Sequence, residues 1–144
     1  MIIAIIILLF CLSIFFSLSE TALTSLNQVK LQTLAKSEDK KAEKLLKLIE
    51  NPNEHYIVTI IGNNIVDLTI VALVVSWAMD SAFDPILAVV ITISAIILFA
   101  EIIPNAIGRA IPMEIAFVVS PFIRAMIKLL KPIVWLLNKL ISPL

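Results

Sequence analysis

The chain alternates between long stretches almost free of polar positions and shorter segments rich in charge. From Met1 the run MIIAIIILLFCLSIFFSLSETA is apolar for most of its length, and the pattern predicts a first spanning helix at about 2–27. Two further apolar runs, at about 56–79 and about 85–104, are long enough to cross as well. A helix needs roughly 20 residues to cross a ~30 Å hydrocarbon layer. Between the first two spans lies KLQTLAKSEDKKAEKLLKLIENPNEH, too polar to cross. Its apolar positions Leu31, Leu34, Leu45, Leu46 and Ile49 fit a helical hairpin at about 29–52 lying against the membrane face. The NPN at Asn51 to Asn53 ends it, with Asn53 placed to cap the next helix.

The last segment predicts a juxtamembrane helix at about 112–142. Arg124, Lys128, Lys131, Asn138 and Lys139 recur near multiples of the helical repeat and draw a polar stripe on an otherwise apolar helix. Each basic charge costs ~2.5–3.5 kcal/mol at mid-membrane on insertion scales. The stripe therefore favours a belt helix in the interface over a fourth crossing, bent at Pro132 and anchored by Trp135. The fold class is an all-α membrane protein, one transmembrane domain over 1–144.

Composition sharpens this picture. Sixty per cent of the residues are hydrophobic and only 2 are glycine, which sets the chain apart from soluble domains. The first apolar run has no basic residue before it and exceeds the ~7–15-residue core of a secretory signal, so it is read as a retained helix. A net charge of zero hides a local imbalance. The first connection carries Lys30, Lys36, Lys40, Lys41, Lys44 and Lys47, whereas the second, MDSAFDP, carries Asp80 and Asp84 and no base. Arg109, Arg124, Lys128, Lys131 and Lys139 follow the third span. The positive-inside rule then orients a multi-pass protein of the cell membrane with its N-terminus outside and its C-terminus cytoplasmic. No basic face with interleaved aromatics invites a nucleic acid. The single Cys11 builds neither a disulfide framework nor a zinc site.

Against this background the polar groups inside the spans stand out: Ser17, Ser19, Glu20, Thr21, Thr24 and Ser25 in the first, Asn63, Asn64 and Asp67 after Gly62 in the second, and Glu101 in the third. Ionisable groups at such depths are costly and by default indicate a site. At ~1.5 Å per residue, Ser19 and Glu101 lie roughly 25 and 24 Å below the outer ends of their helices, and Asn64 roughly 18 Å below. Pro104 cannot donate an N–H, so the carbonyl of Ala100 loses its usual helical partner. Free backbone at membrane depth is tolerated only where protein, water or a ligand satisfies it. Gly62 permits a similar break, or a close approach, beside Asn63. Carboxylate, amide, hydroxyl and carbonyl oxygens, with no thiolate or imidazole, form a ligand set for a hard cation. His55 falls at a span border and reads as an interfacial residue. Other readings stay open: serines and threonines bonded to their own backbone, Asn63 and Asn64 bonded across helices, Asp67 in a network, protonated or on a second ion, and Glu101 protonated or paired with a lysine.

SETALTSL, IGNNIVDLTIVAL and FAEIIPNAIGRA together resemble the three membrane signatures of the cyclin M and CorB/CorC magnesium transporter family, and the resemblance covers essentially the whole chain. It implies three spans, a cytoplasmic belt helix and a homodimer with a Mg²⁺ site in each protomer. Carried onto this sequence, it implies Ser19 and Ser25, Gly62 and Asn64, and Glu101 as ligands, with Asn63 beside them. Glu20 and Asp67 are left for a second ion or a network, Na⁺ being a candidate for coupling. It also implies cytoplasmic nucleotide-binding regulatory modules, absent from these residues. Two points depart from the pattern: FAE stands where the family commonly has FGE, and Ser19 and Ser25 lie about 120° apart on a straight helix. The functional expectation is a Mg²⁺ transporter core working by alternating access, with a non-transporting anchor or Mg²⁺ sensor as the alternative. No arrangement of catalytic residues points to an enzyme.

Overall fold

The computed structural model describes residues 1–143, and among them every regular element is helical. Helix α1 (Ile2–Thr24) is followed by two short helices, α2 (Gln28–Lys36) and α3 (Lys40–Glu50), and then by the long α4 (Pro52–Asp80). Helix α5 (Pro85–Ala95) runs through a π-helical segment, Ile96–Ile102, into α6 (Ile103–Ala110). Helices α7 (Pro112–Leu129) and α8 (Lys131–Ile141) complete the described chain. Three stretches are long and apolar enough to cross a membrane: Ile2–Thr24, Pro52–Asp80 and Pro85–Ala110. The all-α class and the three spans agree with the hydrophobic pattern.

Short polar side chains set several boundaries. Asn27 accepts the Lys30 N–H at 3.2 Å and starts α2. Asp39 accepts the N–H groups of Lys41 and Ala42 at 3.0 and 3.4 Å and starts α3. Between them Glu38 takes φ of 63°, the left-handed turn that reverses the chain. Asp84 accepts the Ile86 N–H at 2.9 Å, and Pro85 supplies a preset first turn for α5. Helix α4 differs from expectation: Asn51 holds the capping position without a side-chain bond, Pro52 opens the helix, and Asn53 lies inside its first turn. A proline there needs no partner for its nitrogen, so the helix begins earlier. The tail breaks at Leu130, just before Pro132, whose ring clashes with a continuing helix.

Two cores result. In the first, Leu23 of α1, Leu31 of α2, Leu45 and Ile49 of α3, and Ala116 and Ile123 of α7 close on one another, with Leu34 and Leu46 packed against them. The apolar stripe of the hairpin is thus buried against helices of its own chain. In the second, Phe16, Val66, Ile70, Ile96 and Ala100 join the three spans. Where water is the alternative, burying a leucine is worth ~1.5–3 kcal/mol. Among lipid tails that driving force vanishes, and the second core depends on close packing and hydrogen bonds.

Candidate cation site

In the third span Pro104 offers no N–H, and the hydrogen-bond ladder reorganises ahead of it. The Ile103 N–H reaches back five residues to the Leu98 carbonyl, the π pattern that runs over Ile96–Ile102 and includes Glu101. Such wide turns need a local cause, here the proline, and are frequent at functional sites. The break expected beside Glu101 is therefore a π-helical segment, and the half-buried Glu101 sits in its last turn.

Alongside it, α1 carries Ser19, Glu20 and Thr21. Ser19 is fully buried and donates its hydroxyl to the Phe15 carbonyl at 2.6 Å, leaving its lone pairs as acceptors. Glu20 is half-buried. Thr21 donates to Asn105 Oδ1 at 2.5 Å and ties α1 to α6. Gly108 permits that approach, since a Cβ there would stand 3.0 Å from Thr21 Cβ and 3.3 Å from both the Ala22 nitrogen and the Leu18 oxygen. Regular helix ends at Thr24, so Ser25, at φ −97° and ψ 2°, is released from the straight-helix geometry that separated it from Ser19. Its side chain is exposed.

Helix α4 meets α1 nearer its middle. Ser13, fully buried, donates to Asp67 Oδ1 at 2.5 Å and stands 3.2 Å from Asn63 Oδ1. Asn63 and Asp67 thus face α1, whereas Asn64 is exposed. The break allowed for at Gly62 does not occur: α4 is continuous there, and the glycine serves close approach, a Cβ lying 2.6 Å from two carbons of the Phe16 ring. The pairings of Ser13 with Asn63 and of Thr21 with Asn105 fix the relative levels. Four residues before Asn105, or ~6 Å along the axis, Glu101 comes near the level of Ser17 and Ser19.

The chain therefore draws Ser19, Glu20 and Glu101 toward one level and joins Asn63 and Asp67 to Ser13. Ser25 and Asn64 open outward, so an ion touching them would be uncovered on one side within a single chain. Two participants escaped the sequence reading, Ser13 and Asn105. A lone serine in an apolar run gives no signal. Asn105, in contrast, follows Glu101 by four residues and precedes Gly108 by three, a readable helical face.

Comparison with known proteins agrees with the architecture. The profile of the cyclin M transmembrane N-terminal domain matches residues 3–144. The chain is 30% identical over 129 residues to the UPF0053 inner membrane protein YfjD of Escherichia coli K12, covering 88% of this chain and 30% of that protein. It is 31% identical over 154 residues to a polyamine export protein of Salmonella typhimurium, covering 91% of this chain and 33% of that one. A DUF21 domain-containing protein of Arabidopsis thaliana, At4g33700, is 30% identical over 128 residues, covering 83% of this chain and 28% of that protein. The chain spans about a third of the length of these curated relatives. With three apolar spans and an inner membrane protein among its relatives, it is a multi-pass membrane protein.

Proposed function

We propose, starting from the fact that the chain belongs to the cyclin M transmembrane-domain family, that it is the core of a membrane cation transporter and that its substrate is Mg²⁺. The observation that carries this reading is the placement of Glu101, on its π-helical segment, near the level of Ser19 and Glu20 on α1, a level set by the Thr21–Asn105 bond. A carboxylate kept ionised among apolar helices is stabilised by a cation beside it, and the donors available are all oxygens. Mg²⁺ demands about six oxygens at ~2.0–2.1 Å and gives up water reluctantly. Glu101 and Ser19 supply charge and lone pairs, Asn64 and Ser25 stand ready on exposed positions, and water completes the shell.

Movement follows from helices rocking about the site, exposing it to one side and then the other. A second copy laid against the exposed Asn64 face would cover that amide, in line with a homodimer. Ser13, Asn63 and Asp67 form a separate cluster that fastens α1 to α4 rather than holding the transported ion. Nucleotide-binding modules of a full-length protein would set the rocking equilibrium from the cytoplasm, and the lysine-rich α2–α3 hairpin would face that side.

The test is uptake into sealed vesicles containing only purified protein and an internal Mg²⁺ indicator, with titration calorimetry alongside. Transport lost in Glu101→Gln supports the reading; binding without transport in the parent favours the sensor alternative, and an unaffected variant overturns the assignment. A second reading has a specific basis: relatives named polyamine export proteins. A polyamine carries separated ammonium charges, which the Glu20–Glu101 pair would accept as hydrogen-bonded ion pairs. Vesicles that move a linear triamine while excluding Mg²⁺ would select it.

A further inference from the structure

Away from the carboxylates, α1, α4, α7 and α8 enclose a groove of about 1150 Å³. Leu12, Phe15, Ile61, Phe122 and Ile133 are typical of its walls, and Glu114 is the one charged residue along it. The volume exceeds the ~300–1,000 Å³ of ordinary small-molecule pockets. On α1 the wall runs from Leu8 to Leu18 and on α4 from Ile57 to Val66. At ~1.5 Å per residue these lengths are ~15 and ~13 Å, half of a ~30 Å hydrocarbon layer. The groove is therefore about as long as one leaflet is deep: its α4 wall lies in the half of that helix next to the lysine-rich α2–α3 hairpin, and its α1 wall is centred on the middle of its span.

Its rim is cationic. Helices α7 and α8 carry Arg124, Lys128, Lys131 and Lys139 against the single acid Glu114. Leu130, at the turn between them, lines the groove, and the exposed Lys128 and Lys131 flank that turn. Lys139 lies over the Trp135 ring, 5.0 Å from its centre. Glu50 and Glu54 line a separate polar pocket with Asn138. Glu114 lies ten or more residues before the bases, ~15 Å away along α7.

We infer that this groove seats the acyl chains of an anionic phospholipid, with its phosphate held at the Lys128–Lys131 turn. Apolar walls of single-leaflet length beside uncompensated bases match the two halves of such a molecule. A second copy of the chain docked here symmetrically would bring its own Lys128 and Lys131 to the same rim and add like charge. The inference is independent of the cation.

The experiment equilibrates the purified chain with vesicles of equal phosphatidylglycerol and phosphatidylcholine and counts retained lipids by native mass spectrometry. Each base near a lipid surface contributes enough that the parent should retain phosphatidylglycerol over phosphatidylcholine by on the order of tenfold. Lys128→Gln with Lys131→Gln, both at exposed positions, should bring that ratio near one while total lipid stays unchanged. Ile61→Trp, with helicity checked by circular dichroism, should lower both lipids by filling the seat. A ratio near one in the parent, a ratio unmoved by the lysine changes, or a full lipid complement on Ile61→Trp overturns the inference. So does efficient oxidative joining of the groove-lining Cys11 to Cys11 of another copy, which would put protein where the lipid is drawn.

Discussion

Ser13 and Ser19 lie six residues apart on one helix, both fully buried, and their hydroxyls do opposite things. Ser13 gives its proton across to α4, where the Asp67 carboxylate and the Asn63 amide oxygen stand within reach. Ser19 gives its proton back to its own helix and keeps its acceptors free near the level of Glu101. The first cluster is consumed in joining helices, and the second is left with an excess of oxygen over donors. Burial of polar groups therefore does not by itself mark a binding site in a membrane. What marks it is a surplus of acceptors that the chain leaves unfilled.

That contrast is broken or kept by comparing two charge removals. Glu101→Gln preserves volume and takes away the charge that a cation needs; losing one partner of a buried ion pair costs ~3–5 kcal/mol. Mg²⁺ uptake should therefore fall more than ~100-fold, the largest effect expected. Asp67→Asn keeps an acceptor for Ser13 and should change uptake by no more than about 3-fold, the scale of one interhelical hydrogen bond. Equal losses in the two variants would abolish the distinction and make the mid-helix trio part of the transport path.

Pro104→Ala sharpens the comparison at the backbone. It restores an N–H and removes a ring that opposes α-helix, a change worth up to ~3 kcal/mol of helix stability. The thermal midpoint should rise while Mg²⁺ affinity, read by calorimetry, falls about tenfold as Glu101 rotates away from its productive geometry. A variant that gains stability and keeps its affinity would show that the π-helical segment is incidental to the site.

How far the sequence carries one toward this geometry depends on what each feature rests on. The three spans, and a break beside Glu101, follow from hydrophobic runs and from a missing N–H, properties held within a few consecutive residues. The form of the break is a different matter. Whether a freed carbonyl ends a helix or widens it to a π turn depends on the surface of α1 packed against it. Rotation about the helix axis was hidden for the same reason. Gly62 against the Phe16 ring and Ser13 against Asn63 turn one asparagine of the pair inward and leave Asn64 outside. No spacing rule distinguishes two adjacent asparagines until the partner helix is in place. Ser13 itself became significant only through Asp67, fifty-four positions away.

Gly108 tests whether α6 is held by shape. A methyl there meets the Ala22 nitrogen and Leu18 oxygen, both backbone atoms, at 3.3 Å. Backbone yields little, so Gly108→Ala should cost ~1–3 kcal/mol by overpacking, visible as a lower thermal midpoint in detergent. Mg²⁺ affinity should weaken with it, because α6 is the far support of the segment that carries Glu101.

Thr21→Val is the finest cut. Valine keeps the branched Cβ against Gly108 and deletes only the proton given to Asn105 Oδ1. Interhelical hydrogen bonds in membranes average ~0.6 kcal/mol, with ~1.7 at the upper end, so the thermal midpoint should barely move. Affinity is the more sensitive readout: Asn105 lies one turn from Glu101, and slack of that size corresponds to about a 3-fold weaker Mg²⁺ site. Thr21→Ala removes contact and bond together and should weaken both stability and affinity further. If valine matches the parent in affinity while alanine does not, shape alone aligns α6, and the bond from Thr21 belongs with Ser13 among the fasteners.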